Sequence, residues 1–224
     1  MWTDFLSDKK ELQQEGIKVL EAMCGFADGK DILERTLDIS TDYSGFDYSD
    51  TVVSRVRESR PELKVYQQDV TRFQSDDAFD LIILLGGLHH VPHAAAEAVA
   101  RLAGSLKPGG SFISLEPTTG NWLFKAVREH IYRKNQLFDE QTERDFSVDE
   151  LMAMFSEAGL SLVDVSYPGL LSYMLYYNPD ALPWLNIGGP RTLRAIYALD
   201  RLFFHTRIGR ALSFASLTLW RKPD

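Results

Sequence analysis

Residues 17–33 read Ile-Lys-Val-Leu-Glu-Ala-Met-Cys-Gly-Phe-Ala-Asp-Gly-Lys-Asp-Ile-Leu, and this stretch decides the fold. A short apolar run reaches the acidic Glu21, the chain then breaks at Gly25 and Gly29, and a helical pattern resumes directly afterwards. This order predicts a strand, a tight turn and a helix. Glycine lets the backbone of such a turn approach a ligand closely, and the acid at the strand end can bind a ribose hydroxyl or an ammonium group.

The residues that follow repeat the alternation of strand and helix. Strands are predicted at 17–20, 43–48, 63–67, 79–85 and 111–115, helices at 49–58 and 94–106, and a hard turn at 107–110. This alternation is typical of a parallel sheet covered by helices on both faces. Ligands of such sheets bind at the carboxyl ends of the strands. The residues at the predicted strand ends are Glu21, Asp47, Asp69, Gly86 and Glu116.

The second half of the chain is less regular. Ser147 and Glu150 form a capping-box pattern for a helix that ends near Gly159, and strands are predicted at 160–167 and 212–220. The predicted helical parts of the remainder are a short N-terminal helix at 4–15, a helix or helix pair at 121–138, and an insertion at 168–212. Within the insertion, Leu193, Ile196, Tyr197, Leu199, Leu202 and Phe203 are predicted to share one helical face, opposite Arg191, Arg194 and Arg201.

Bulk properties bound the function. We expect one domain over residues 1–224, since the composition is ordinary for a globular protein and the length suits one core. The net charge of −8 argues against a nucleic-acid partner. The single cysteine excludes an internal disulfide, and no apolar run is long enough to span a bilayer, so we expect a cytoplasmic protein.

Taken together, these motifs resemble those of class I S-adenosylmethionine-dependent methyltransferases. The resemblance covers residues 17–117 closely and the last two strands loosely. It depends on the order and spacing of the strand-end residues, together with the motifs Leu88-His89-His90 and Lys107-Pro108-Gly109-Gly110. It implies an α/β fold with a doubly wound, Rossmann-like sheet of seven strands, mostly parallel with the last strand antiparallel. It also implies S-adenosylmethionine as cofactor.

The resemblance assigns roles to individual positions. The turn would place backbone N–H groups against the methionine part of the cofactor, with Glu21 balancing its ammonium group. Asp47 would accept the ribose hydroxyls, Asp69 and the Val70 N–H would bind the adenine, and Leu85 and Gly86 would form the floor below the methyl group. The expected cofactor-binding residues are Glu21, Cys24, Gly25, Phe26, Ala27, Asp47, Tyr48, Asp69, Val70, Leu85 and Gly86.

The chain departs from the family pattern in the turn. Met23 and Ala27 stand where glycine is usual, and Ala27 is acceptable if its backbone is not left-handed. Gly86 and Gly87 are smaller than usual and are predicted to widen the pocket floor. A nicotinamide-binding fold is the alternative, although the G-x-G-x-x-G fingerprint is absent. Cys24 is expected to be a packed residue rather than a nucleophile, and no metal is expected, even though His89 and His93 have i, i+4 spacing.

Methyl transfer to a hydroxyl needs a base, and histidine titrates near neutral pH. His90 is the first candidate for this base, His89 is the second and Glu116 the third, while His130 is a more distant candidate. The alternative is that the histidines cap a helix or pack structurally. The aromatic insertion is predicted to be a lid over an apolar or aromatic small-molecule acceptor, and its alternative roles are a dimer contact or plain packing. Residues 1–16 are predicted to form an N-terminal helix or a second lid. The alternative functions are methylation of a nitrogen or carbon atom and a non-catalytic module that binds the cofactor. The protein is expected to be a monomer or homodimer.

Overall fold

A seven-stranded sheet forms the centre of the molecule. The computed structural model describes residues 1–76, 78–118, 144, 146–177 and 189–224. The strands are β1 (Ile17–Ala22), β2 (Thr41–Asp47), β3 (Lys64–Gln67), β4 (Phe79–Leu85), β5 (Leu106–Pro117), β6 (Ser161–Ser166) and β7 (Ala215–Arg221).

The strand order is β3-β2-β1-β4-β5-β7-β6, which confirms the predicted fold class. Neighbours from β3 to β5 pair in parallel, and β7 is antiparallel to both β5 and β6. The order reverses at β1, which pairs with β2 on one side and with β4 on the other. In open α/β sheets, ligands bind in the crevice at such a reversal, outside the carboxyl ends of the strands.

Helices cover both faces of the sheet. The described α-helices are α1 (Trp2–Leu6), α2 (Asp28–Leu37), α3 (Asp50–Ser59), α4 (Ala95–Gly104), α5 (Val148–Glu157), α6 (Leu171–Tyr177), α7 (Pro190–Asp200) and α8 (Arg207–Leu212). One buried cluster includes Leu20, Ile82 and Phe112, and a second, on alternate residues of the same strands, includes Val19 and Leu81. Because side chains alternate along a strand, the two clusters lie on opposite faces of the sheet.

Local capping signals are confirmed. The Ser49 hydroxyl accepts a hydrogen bond from the Val52 N–H and begins α3. Ser147 and Glu150 form the predicted capping box at the start of α5. Each pair satisfies backbone donors that the first turn of a helix leaves open.

The predicted N-terminal helix is wrong. Residues 4–15 do not form one helix: α1 ends at Leu6, and a short 3-10 helix, Lys10–Leu12, follows. The break between them lets Leu6 and Leu12 both reach the core, and a long-range ion pair between Lys9 Nζ and Asp164 (2.8 Å) holds it.

The predicted turn at 107–110 is also wrong, because these residues lie inside β5. The pairing with β4 shifts between Phe79 and Leu81, so the extra residues are absorbed as an irregularity of the strand. Backbone hydrogen bonds from Gly109 N–H to Lys222 O and from Lys222 N–H to Gly110 O tie this stretch to the end of the chain. Tertiary pairing therefore overrides a sequence that is typical of a turn.

The insertion between β6 and β7 is helical where it is described, as predicted. It contains α6, α7, a 3-10 helix at Arg201–Phe203, and α8. The predicted helical face is wrong for Leu199 in α7 and for Leu202 in the 3-10 helix, because both are exposed, as Arg191 and Arg194 are. The predicted helices at 121–138, with His130, lie outside the described residues. Among the described residues, no helix is both long and apolar enough to cross a membrane.

Candidate active site

The turn after β1 adopts a left-handed backbone at three alternate positions. The φ angles are 52° at Met23, 51° at Gly25 and 63° at Ala27. Glycine takes this conformation without steric cost, whereas other L-residues lose about 1–2 kcal/mol. Alanine was expected to be acceptable at position 27 only if its backbone is not left-handed. The backbone of Ala27 is left-handed, so this expectation is wrong. The chain keeps the turn's conformation at the two positions where it lacks glycine.

Asp47 links the end of β2 to this turn. Its Oδ2 accepts a hydrogen bond from the Gly25 N–H (3.0 Å), and its Oδ1 accepts one from the Ser49 N–H (2.9 Å). The carboxylate thus lies beside the turn at the point where strand order reverses. Its side chain is half-buried.

Glu21 is buried below the turn. Its Oε1 accepts a hydrogen bond from the Gly29 N–H (3.0 Å) in α2, and its Oε2 accepts one from the Tyr43 hydroxyl (2.7 Å). A Cβ at Gly29 would lie 2.6 Å from Glu21 Oε1, so only glycine lets the helix approach this closely. Burial raises the pKa of the Glu21 carboxyl to about 7, although both hydrogen bonds oppose the shift.

Cys24 is a buried packing residue. Its Sγ lies against Gly45, where a Cβ would come within 3.1 Å of it. Burial raises the pKa of the thiol to about 12, with smaller contributions from Glu21 and Asp47. Because the thiolate is the nucleophile, this environment agrees with a structural role.

Asp69 and Val70 begin the segment after β3. Asp69 Oδ1 accepts hydrogen bonds from the N–H (2.8 Å) and the hydroxyl (2.7 Å) of Thr71, and so caps a 3-10 helix that starts at Val70. Phe26 and Tyr48, which follow the turn and β2, are both exposed. The site residues expected at the ends of β1, β2 and β3 thus surround one side of the crevice.

The floor at the end of β4 differs from the prediction. Gly86 has a φ of 73° and donates its N–H to Leu115 O (2.7 Å). Gly87 does not widen the floor, because the side chain of Met23 fills the adjacent space: a Cβ at position 87 would lie 2.5 Å from Met23 Sδ. The prediction of a wider floor is therefore wrong at this position.

Glu116 lies at the end of β5 and holds the segment after β4. Its Oε1 accepts hydrogen bonds from the N–H groups of Gly87 (2.9 Å) and Leu88 (3.0 Å), and its Oε2 lies 3.4 Å from His89 Nδ1. The carboxyl group is buried, and the rings of His89 and His90 lie with centroids 4.0 Å apart. A carboxylate beside one nitrogen of a histidine orients the ring and leaves the other nitrogen for chemistry.

Sequence reasoning missed one residue and one contact of this region. The sequence predicts Tyr43 only as a residue of a strand, whereas its hydroxyl donates a hydrogen bond to Glu21. The alternation of side chains along β2 turns Tyr43 to the buried side, and this could have indicated the contact. The contact between Met23 and Gly87 joins residues far apart in the chain, and no local pattern indicates it.

Comparison with known proteins finds similarity to methyltransferases. Residues 19–110 match a family model described as a methyltransferase domain. A demethylmenaquinone methyltransferase of Staphylococcus aureus is 25% identical over 187 residues, which cover 72% of this chain and 75% of the relative. The chain is therefore similar to methyltransferases over the part of the sheet that carries the turn and the strand ends.

Solved structures share the fold over nearly the whole chain. An S-adenosylmethionine-dependent methyltransferase from Mesorhizobium loti is 15% identical with a TM-score of 0.60, and the match covers 98% of each chain. The cyclopropane synthase MmaA2 from Mycobacterium tuberculosis is 15% identical with a TM-score of 0.63, covering 97% of this chain and 84% of that one. These differently named proteins show that the fold by itself does not define the acceptor.

Proposed function

We propose that the protein transfers a methyl group from S-adenosylmethionine to a hydroxyl of a small apolar or aromatic molecule. The observation that carries this proposal is the His89–Glu116 pair, which joins the segment after β4 to the carboxyl end of β5. A Cβ at Gly86, the expected floor of the methyl site, would lie 3.9 Å from His89 Cε1. The pair therefore puts a candidate base at the edge where the acceptor must react.

The residues of the crevice fit the cofactor. The left-handed backbone at 23, 25 and 27 keeps the turn compact, and Glu21 anchors it from below through Gly29. Asp47 offers carboxylate oxygens for ribose hydroxyls, and the exposed ring of Tyr48 follows it in the chain. Asp69 and Val70 would take the adenine edge. The bound cofactor supplies an electrophilic methyl group on a sulfonium sulfur.

The structure supports a revised order of the base candidates. Glu116 already accepts two backbone hydrogen bonds and faces His89, so its proposed role is to position that ring rather than to act as the base. With Nδ1 donating to Glu116, His89 Nε2 carries the lone pair that takes the acceptor's hydroxyl proton. His90, the first candidate from the sequence, becomes the second.

The N-terminus and the insertion support an apolar acceptor. Together with α2 they border an open cavity of about 640 Å³, lined by residues that include Trp2, Ile32, Tyr173, Leu193 and Tyr197. Its lining does not include Asp47, His89 or Glu116. This volume suits a small molecule. We therefore propose that residues 1–16 and 168–212 act as substrate lids. The name of the Staphylococcus aureus relative, a demethylmenaquinone methyltransferase, also favours a small-molecule acceptor and keeps carbon methylation as the alternative.

The test separates cofactor binding from chemistry. Tritiated methyl transfer from S-adenosylmethionine is measured on an organic extract of the source cells, with the wild-type protein, His89→Gln and His90→Gln. We expect His89→Gln to reduce methyl transfer by about a hundredfold or more with unchanged affinity for S-adenosylhomocysteine, and His90→Gln to retain most activity.

Other outcomes contradict parts of the proposal. Equal activity of His89→Gln and wild type would remove His89 as the base. Labelled product that is stable as an N- or C-methyl compound would overturn the hydroxyl acceptor. Cofactor binding with no labelled product from any extract would indicate a non-catalytic cofactor-binding module.

A further inference from the structure

Four large apolar residues are exposed on α7, the 3-10 helix Arg201–Phe203 and α8, where a solvent-facing helix is usually polar. The exposed side-chain fractions are 54% for Leu199, 68% for Leu202, 55% for Ile208 and 45% for Leu212. Leu199 and Leu202 are three residues apart, and Ile208 and Leu212 are four apart, so each pair projects from one side of its helical segment. We call this surface, together with the arginines described below, the basic apolar face.

The opposite side of α7 contacts the rest of the protein. The Tyr197 ring makes an edge contact with Phe204, with ring centroids 5.6 Å apart, and its hydroxyl donates a hydrogen bond to Asp4 Oδ2 (2.6 Å). Asp200 is buried and accepts a hydrogen bond from the Ser172 N–H (2.6 Å). The leucines are therefore exposed because the helix buries its other face.

The charge of this segment is opposite to that of the whole protein. Residues 189–212 contain five arginines and one acidic residue, the buried Asp200, in a chain of net charge −8. Arg201 pairs with Asp4 (3.1 Å), and Arg210 pairs with Asp149. Within the described part of the chain, the other three arginines make no ion pair; they are Arg191, Arg194 and Arg207.

We propose that the basic apolar face docks the protein onto an anionic phospholipid bilayer. Exposed leucine and isoleucine side chains beside arginines that pair with no described acidic residue are the combination that binds in the interfacial plane of a membrane. The arginines attract the negative leaflet, which the remainder of this acidic protein would repel. The apolar side chains then enter the boundary between headgroups and acyl chains. This inference is independent of the identity of the methyl acceptor.

Vesicle sedimentation of the full chain tests the proposal. Phosphatidylcholine vesicles are compared with vesicles that also contain phosphatidylglycerol, at low and high salt. We expect the protein to pellet only with the anionic vesicles and to be released by salt. Leu202→Ser/Ile208→Ser and Arg191→Gln/Arg207→Gln should each weaken this binding by about tenfold or more.

A matched control comes from the edge strand β6, where Leu162 and Val163 are 45% and 46% exposed. Leu162→Ser/Val163→Ser should bind anionic vesicles like the wild type. Equal binding to both vesicle types, or no effect of either double variant on the basic apolar face, would overturn the proposal. A dimer in light scattering that Leu202→Ser/Ile208→Ser dissociates would instead make this face a contact between two copies. Unchanged circular dichroism verifies that the variants are folded.

Discussion

The Sδ atom of Met23 lies where a side chain at position 87 would have to be, only 2.5 Å from a Cβ built on Gly87. Met23 has a left-handed backbone in the turn after β1, and Gly87 follows β4 with an ordinary φ of −114°. Sterics, not backbone conformation, therefore require glycine at position 87. The turn and the floor of the site are fitted to each other through this contact.

A first prediction concerns this contact. Gly87→Ala should destabilise the protein by about 1–3 kcal/mol, because the added methyl group overlaps Met23. Met23→Gly should relieve the left-handed strain while losing packing, so its own effect should be small. In the double variant, Met23→Gly should rescue Gly87→Ala. Urea unfolding of the four proteins gives the coupling free energy, which we expect to reach about 1 kcal/mol or more.

Gly104→Ala is the control, since a Cβ at that position meets no atom within 4 Å. It should leave stability at or somewhat above that of the wild type, because alanine favours a helix more than glycine does. Additive effects of Met23→Gly and Gly87→Ala would contradict the contact.

A second prediction follows from the pKa of Glu21, which is raised from 4.5 to about 7. Below pH 4.5 the carboxyl is protonated in both folded and unfolded states, whereas between pH 4.5 and about 7 it is protonated in the folded state alone. Stability should therefore fall as pH rises through this window. The total loss should be on the order of 3 kcal/mol.

Glu21→Gln removes this titration and keeps a group of similar size. Unfolding free energies at about pH 5 and about pH 8 should show the wild type losing stability relative to Glu21→Gln as pH rises. A parallel pH dependence of the two proteins would contradict the raised pKa.

A third prediction concerns Glu116. Glu116→Gln can still accept the backbone hydrogen bonds of Gly87 and Leu88 but should orient His89 less well. We expect kcat to fall by about tenfold to a hundredfold and the pH profile of methyl transfer to shift, with unchanged affinity for S-adenosylhomocysteine. Glu97→Gln, which changes an exposed residue of α4, should have no effect. Loss of activity that tracks loss of folded protein, with an unshifted pH profile, would reduce Glu116 to a purely structural role.

A fourth prediction concerns Cys24, the single cysteine of the chain. Because burial raises the pKa of its thiol to about 12, a thiol-specific reagent at neutral pH should modify the native protein far more slowly than the urea-unfolded protein. Equal rates in the two states would show that Cys24 is exposed and reactive. Because the chain has no other cysteine, the reaction with the reagent reports on Cys24 alone, and no further control variant is needed.

Features of the fold that depend on neighbouring residues were predictable from the sequence. The strand Phe79–Leu85 is a continuous apolar run, and the capping box of Ser147 and Glu150 satisfies its own helix start. Features imposed by distant contacts were not. The Lys-Pro-Gly-Gly stretch at 107–110 is held in a strand by pairing with the chain end, and local propensity favours a turn.

The site follows the same division. The acids at the strand ends were predictable, because parallel strands bring their carboxyl ends together. The left-handed backbone of Ala27 was not, because closure of the turn imposes a conformation that alanine disfavours. The exposure of Leu199 and Leu202 was not predictable either. Apolar residues lie around more than half of the circumference of α7, so periodicity alone cannot identify the buried face.

Calorimetric titration with S-adenosylhomocysteine tests the central claim most directly. We predict binding to one site on the wild-type protein. Asp47→Ala should weaken it by about tenfold or more, because Asp47 supplies charge-assisted hydrogen bonds beside the turn. Asp42→Ala, on the same strand but exposed and paired with Lys64, should bind like the wild type. Absence of binding to the wild type, or unchanged affinity of Asp47→Ala, would contradict the account.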